Sequence, residues 1–122
     1  MKTIALSAIL TILLLGACKN DPVITEGPDP CATPLSYAVD IFPLIDETCN
    51  YAGCHAGAYD TYEGIEPKLQ SGLLVARVFQ RMSDPALRMP PSKSVYPNVQ
   101  RETLTQEELD LIQCWVNQGY PR

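Results

Sequence analysis

A chain of 122 residues, 46% of them hydrophobic, can form one modest domain, which excludes a large enzyme fold. The formal net charge is −5, from 14 acidic and 9 basic side chains. An acidic chain is poorly suited to bind nucleic acid or anionic lipid, so a basic protein surface is the more natural partner.

The N-terminal stretch has the layout of a bacterial secretory signal. Residues 1–17 carry one charge, Lys2, followed by an apolar run too short to span a membrane. The run ends in Leu15-Gly16-Ala17-Cys18, which resembles a lipobox, where small residues precede a cysteine that becomes acylated. We predict a lipoprotein signal peptide over 1–17 and lipidation at Cys18; an ordinary cleaved signal is the alternative. Removal of Lys2 would leave 8 basic and 14 acidic side chains, a balance of −6.

A proline-rich segment follows the predicted lipidation site. Residues 18–35 contain four prolines among polar side chains and are expected to form an extended tether, leaving 36–122 as the folded domain. Lys19 stands where aspartate is associated with retention in the inner membrane. The favoured location is therefore the outer membrane of a bacterial cell envelope, with the lipid as anchor.

Three helices are predicted within the domain. Asp40 is expected to cap a short helix that runs toward Cys49, with Pro43 acceptable in its first turn. Apolar residues at helical spacing predict a second helix from Leu69 to Met82. No stretch alternates in the manner of a strand, so the fold class is all-α.

The last helix has the clearest signals. Thr105 and Glu108 have the spacing of a capping box, and Leu104 with Leu109 can form a hydrophobic staple around it. Gly119 is expected to end the helix. Its predicted buried face consists of Leu109, Ile112, Trp115 and Val116.

The cysteines carry the chemistry of the chain. Thiols in exported proteins are usually oxidised, metallated or modified, and here Cys49 and Cys54 are followed directly by His55, the only histidine. Two thiols that add to porphyrin vinyl groups, with a histidine next to the second, are the residue set of covalent haem attachment. The gap is two residues longer than the usual one, and Gly53 supplies backbone freedom within it. The alternatives are a Cys49–Cys54 disulfide with a merely polar His55, and a zinc site, which lacks a nearby fourth ligand.

A methionine about thirty residues later is the candidate for a second iron ligand. Met89 lies in the sequence Arg88-Met89-Pro90-Pro91, and a thioether ligand favours reduced iron. The two prolines restrict the backbone after Met89 and so fix the direction of its side chain. Met82 is the rival ligand, but its place in an apolar helical stripe predicts a role in the core.

The order of these features resembles that of class I c-type cytochromes. More narrowly, the chain is similar over about residues 36–120 to small lipoprotein cytochromes that share the longer gap between the haem cysteines. The segments that carry this similarity are Asp40-Ile41-Phe42-Pro43-Leu44-Ile45, Cys49 to His55, Tyr62-Glu63-Gly64-Ile65, Arg88-Met89-Pro90-Pro91, and Leu104-Thr105 through Trp115-Val116-Asn117-Gln118-Gly119.

The resemblance implies three to four short helices packed around one covalently bound haem c. It implies thioether bonds at Cys49 and Cys54, His55 as the proximal ligand and Met89 as the distal ligand; partners of the haem propionates do not carry over to definite positions. Cys31 and Cys114 would then be the remaining cysteines. Because the first and last helices cross in the cytochrome c fold, we predict a disulfide between these two cysteines.

The function expected from the resemblance is transfer of single electrons between redox partner proteins on the periplasmic side of a bacterial membrane. Both axial iron positions would be filled, and no nucleophile or acid pair is visible, so an enzyme is not expected. One alternative is a haem-free binding lipoprotein in which Cys31, Cys49, Cys54 and Cys114 make two disulfides. The other is a haem-based sensor in which Met89 is a labile ligand.

Overall fold

The computed structural model describes residues 29 and 31–122 of the chain. Cys18, the signal peptide and most of the predicted tether lie outside these described residues. Within them the regular structure is helical with no strand, so the all-α prediction is confirmed for this part of the chain. No helix in the same range is both long and apolar enough to cross a membrane.

The first helical segment starts earlier than predicted. A π-helical turn, Tyr37–Ile41, leads directly into helix α1, Phe42–Thr48. The hydroxyl of Ser36, not Asp40, caps the segment by accepting the N–H of Val39 at 3.4 Å. The prediction of Asp40 as the cap is wrong because its carboxylate lies one turn inside the segment. There it accepts the N–H of Ser36 at 2.7 Å, which satisfies another donor at the helix start.

The predicted helix from Leu69 to Met82 is broken in the structure. Helix α2, Tyr62–Gln70, ends before Gly72, which has a φ of 70°, the left-handed conformation common after helix ends. Helix α3, Leu73–Val75, then continues into a second π-helical turn, Ala76–Gln80. The apolar spacing thus extends across a glycine at which the backbone changes direction.

Helix α4, Gln106–Asn117, begins and ends as predicted, although Leu109 and Val116 of its predicted buried face are only partly buried. Both bonds of the capping box are present: the hydroxyl of Thr105 accepts the N–H of Glu108, and the Glu108 carboxylate accepts the N–H of Thr105. Gly119 follows the helix with a φ of 83°. The buried side chains of the helix are those of Ile112, Cys114 and Trp115.

The first helical segment and α4 pack together through the aromatic core, which we define as Tyr37, Ile41, Ile112 and Trp115. These side chains are at most 2% exposed, and the rings of Tyr37 and Trp115 have centroids 5.7 Å apart. The carbonyl of Pro121 accepts both the indole N–H of Trp115, at 2.8 Å, and the backbone N–H of Tyr37, at 3.1 Å. The chain end is thereby fixed to this core.

A disulfide joins Cys31 to Cys114 of α4, with Cα atoms 5.0 Å apart. The side chain of Gln118 donates to the carbonyl of Cys31 at 3.0 Å and accepts the N–H of Leu35 at 2.8 Å. Residues 31–35, included in the tether by the sequence prediction, are therefore attached to the last helix by a covalent bond and by hydrogen bonds.

Candidate functional site

Residues 49–60 form a loop between α1 and α2 that one buried side chain organises. The amide of Asn50, which is 5% exposed, donates to the carboxylate of Asp60 at 2.6 Å and accepts the N–H of Tyr59 at 3.0 Å. The backbone carbonyl of Asn50 also accepts the N–H of Gly57 at 3.0 Å. These bonds connect the beginning of the loop to its end, so the residues between them are held in a compact arrangement.

Helix α2 approaches this loop closely at Gly64. A Cβ atom at this position would overlap the backbone carbonyl oxygen of Ala58, so only glycine fits without displacing the loop. The contact between α2 and the loop therefore depends on the absence of a side chain at Gly64.

The two cysteines of the predicted attachment motif lie in this loop and are unpaired, Cys49 half-buried and Cys54 exposed. The N–H of His55 donates to the carbonyl of Cys49 at 3.2 Å, and the N–H of Cys54 donates to that of Tyr51 at 3.1 Å. Burial raises the pKa of the Cys49 thiol, while the hydrogen bond to the Thr48 hydroxyl acts in the opposite direction. The structure thus keeps both sulfur atoms available for a covalent reaction.

The imidazole of His55 is half-buried against an aromatic ring. Its centroid lies 4.5 Å from that of Tyr59, whose backbone carbonyl accepts the hydroxyl of Tyr37. Burial lowers the pKa of His55, and the positive charge of Lys68 lowers it further. The ring is therefore kept neutral near pH 7, the form in which imidazole binds a metal ion.

The loop that carries Met89 is fastened to the second π-helical turn. The N–H of Met89 donates to the carbonyl of Arg77 at 2.9 Å, and the guanidinium of Arg77 donates to the carbonyl of Leu87 at 2.8 Å. Pro90 and Pro91 are both buried directly after it. The backbone at Met89 is thus fixed on both sides of the residue.

The residues after the prolines are held by a single carboxylate. Glu102 accepts the hydroxyl of Ser92 and the N–H of Lys93, each at 2.9 Å, and its carboxylate lies 4.0 Å from the guanidinium of Arg88. The bond from the Lys93 N–H and then that from Ser92 lower the pKa of Glu102. This carboxylate connects the residues on both sides of Met89.

These elements surround a cavity made of two adjacent parts that share Cys49, His55 and Met89; we call the part lined by the exposed Cys54 the outer part and the other the inner part. The outer part holds about 580 Å³ of space, some of it open to solvent, and the four predicted haem residues, Cys49, Cys54, His55 and Met89, all line it. The inner part holds about 690 Å³, again partly open, and shares three of those residues. Its apolar walls are formed by Ile45, Tyr59, Ile65, Leu73, Leu74 and Val78.

The chemistry of the cavity fits a large apolar cofactor with a few points of attachment. Ligand sites are mostly apolar, with a small number of precisely placed polar groups. Here the placed groups are two thiols, an imidazole, a thioether and, in the inner part, the cations Lys68 and Arg77. In the described part of the chain, no three His, Cys, Asp or Glu side chains come together as a set that could hold a metal ion.

Met82 lies away from His55. It is 53% exposed, and the cleft that it lines does not include His55. The expectation that Met82 packs in the core is wrong, because the helical turn ends at Gln80 and Met82 falls in the exposed segment that follows.

The predicted site residues thus fall into separate groups in the structure. Cys49, Cys54, His55 and Met89 share the outer cavity. Cys31 and Cys114 meet at the disulfide beside the aromatic core. The predicted lipidation site, Cys18, lies outside the described residues.

Several residues that shape the site were missed in the sequence. Asn50 lies inside the cysteine motif, yet an isolated asparagine in a loop gives no sign that its side chain is buried. Gly64 within a helix was a usable signal, since a glycine there is unfavourable unless a close contact requires it. Tyr59 and Lys68 have no distinguishing local pattern, because their role depends on tertiary contacts.

Comparisons of the chain with protein-family models, with curated proteins and with solved structures found no match.

Proposed function

We propose that this protein is a monohaem c-type cytochrome that carries single electrons, anchored by a lipid at Cys18 to a bacterial membrane on its periplasmic side. The observation that carries the proposal is the shared cavity of Cys49, Cys54, His55 and Met89. These four residues lie between positions 49 and 89 of the sequence, and they would supply the groups for covalent attachment and for binding the iron.

The two thiols would attach the porphyrin. In each addition the sulfur bonds to one carbon of a vinyl group and the thiol hydrogen ends on the other, so no oxidant is required. Reduced and unpaired cysteines are the form that this chemistry needs, and Cys49 and Cys54 are unpaired. This favours the proposal over the alternative in which these two cysteines form a disulfide.

His55 and Met89 would hold the iron, which when bound supplies one-electron oxidation and reduction. The Tyr59 ring and the loop bonds of Asn50 restrict the imidazole, and the backbone bond to Arg77 restricts the methionine. Rigid ligands lower the structural rearrangement that accompanies a change of charge. Because two side chains, His55 and Met89, would hold the iron, no position would be left for a substrate, and the chain is proposed as a carrier rather than an enzyme.

The exposed Cys54 lies on the outer part of the cavity, so the attachment point would be close to the molecular surface. A partner could exchange electrons there without entering the protein. Because the processed chain would have a net charge of −6, a redox partner with a basic surface is expected.

The test is expression of the full chain in a bacterial host with the haem-attachment machinery, followed by intact mass and a pyridine haemochrome spectrum. The expected result is one covalent haem per chain and a c-type spectrum. The Cys49→Ser/Cys54→Ser variant serves as the control and is expected to lack both. A colourless wild-type protein whose mass contains no haem would overturn the proposal.

A further inference from the structure

The charged side chains that line the inner part of the cavity are positive, whereas the chain as a whole is acidic. The sequence holds 14 acidic and 9 basic residues. Nevertheless, of the described residues that line either part of the cavity, none is acidic, while Lys68 and Arg77 are cationic. Both line the inner part, on the walls formed by α2 and by the second π-helical turn.

Lys68 is half-buried and has no ionic partner in the described part of the chain. The ion pairs there all use arginines, namely Arg88, Arg101 and Arg122. A cationic side chain without an ion pair is free to bind an anion that enters the cavity. An anionic ligand in the cavity would supply the missing counter-charge.

The guanidinium of Arg77 uses only part of its hydrogen-bonding capacity. One nitrogen of its guanidinium donates to the carbonyl of Leu87, and its other nitrogens have no hydrogen-bond partner among the described residues. Since a guanidinium has five donors, Arg77 can hold the Met89 loop and still bind an anion. A planar guanidinium is also suited to paired bonds with a carboxylate.

We propose that Lys68 and Arg77 bind the carboxylates of the ligand in the inner cavity, which are the two propionate groups of the haem. This inference rests on the proposed function and assigns the orientation of the cofactor. The thiol-bound edge lies in the outer part, at Cys49 and Cys54, and the carboxylate edge lies in the inner part, toward α2 and the second π-helical turn.

Lys68 gives the cleaner test, because Arg77 also positions the Met89 loop. The variants are Lys68→Gln, which removes the charge, Lys68→Arg, which keeps it, and Lys93→Gln, a control at an exposed lysine that does not line the cavity. The readout on the full-length holoprotein is the propionate bending band in the resonance Raman spectrum, which reports hydrogen bonds to these carboxylates.

A shift of the propionate band to lower frequency is expected in Lys68→Gln, with the wild-type position kept in Lys93→Gln and largely restored in Lys68→Arg. An unchanged band in Lys68→Gln overturns the inference. If Lys68→Gln yields no holoprotein, normal yield of Lys68→Arg supports the inference. Loss of both holoproteins means that Lys68 acts through packing alone and contradicts it.

The two proposals fail in different ways. If the wild-type chain carries no covalent haem by mass, the proposed function itself is wrong. If the wild type carries haem and the frequency of the propionate band does not change when the charge at Lys68 is removed, only the assignment of the carboxylate partners is wrong.

Discussion

The two ends of this small domain use their apolar side chains differently. In the aromatic core, Tyr37 and Trp115 fill the space between the first helical segment and α4, and the Cys31–Cys114 disulfide closes that side. At the cavity, buried residues such as Ile65 and Val78 line a space, partly open to solvent, that no side chain fills.

Protein interiors are close-packed, and apolar walls that no other group covers cost free energy through lost contacts and exposure to water. A chain of this size buries little apolar surface, so its stability depends on nearly all of its core contacts. We infer that the aromatic core is stable without a ligand, whereas the cavity obtains its packing from the group that it binds. The difference between the two ends can be tested by changing one end at a time.

The most extensive structural change is expected when the cavity cannot attach the proposed haem. In the Cys49→Ser/Cys54→Ser variant we expect a reduced helical signal in circular dichroism. Amide exchange in α2 and α3 should accelerate by about 30-fold or more, since removal of a buried apolar group commonly costs about 2–5 kcal/mol. Amides of α4 should change less, because the aromatic core and the disulfide remain. A fully native spectrum with unchanged exchange would show that the cavity does not need the haem.

The converse change removes the disulfide and keeps the cavity. The bridge spans 83 residues of sequence, and the chain-entropy model gives about 4–5 kcal/mol for a loop of this length. Cys31→Ser/Cys114→Ser is expected to lose about that much free energy of unfolding by denaturant titration while keeping its haem spectrum. Labelling of the unfolded, non-reduced wild-type holoprotein should find no free thiol; a label on Cys31 or Cys114 would refute the pairing.

A third change affects the iron without removing the haem. Met89→Ala should retain covalent haem but lose the weak sulfur-to-iron charge-transfer band of the ferric state. Its reduction potential should fall, because a thioether stabilises ferrous iron. Both are measured by spectroelectrochemistry on the full-length holoprotein.

The matched control for this change is Met82→Ala. Because Met82 is 53% exposed, this variant should keep the wild-type spectrum and change the free energy of unfolding by no more than about 0.5 kcal/mol. If Met82→Ala loses the band and Met89→Ala keeps it, the assignment of the distal ligand is wrong.

Local signals predicted local structure well. The capping box of Thr105 and Glu108 located the start of α4 because its two hydrogen bonds join residues three apart. The cap at Asp40 was wrong because Ser36, four residues earlier, competes for the same role. The break at Gly72 was missed since apolar periodicity does not report a change in backbone direction.

The cavity itself was predictable only as a set of residues. The spacing of Cys49, Cys54 and His55 points to the cofactor, and Met89 is marked by its prolines. The buried Asn50, the ring of Tyr59 and the uncompensated charge of Lys68 are set by contacts between segments distant in sequence. No local pattern could identify them.

One ion-pair cluster connects the two ends of the domain. The guanidinium of Arg101, in the segment between Met89 and α4, donates to the Glu108 carboxylate at 2.9 Å and to that of Glu47 in α1 at 3.3 Å. The bond from Arg101 and then those from Thr105 lower the pKa of Glu108, although burial acts in the opposite direction. Glu108 thereby fastens the segment after the cavity to the start of α4.

A small effect is expected from Glu108→Gln, which keeps a side chain able to complete the capping box but removes the charge. Because solvent screens the ion pair of Arg101 and Glu108, the free energy of unfolding near pH 7 should fall by about 0.5–1 kcal/mol, measured by denaturant titration.

The folded-state pKa of Glu108 is lowered, so the unfolded chain binds its proton first as the pH falls. The stabilisation is therefore complete above the ordinary glutamate pKa of about 4.3 and disappears as the pH falls through the lower folded value. Glu108→Gln should remove that part of the pH dependence, whereas Glu107→Gln, at the exposed neighbour, should retain it. Equal acid sensitivity in wild type and Glu108→Gln would show that this carboxylate does not connect the two ends.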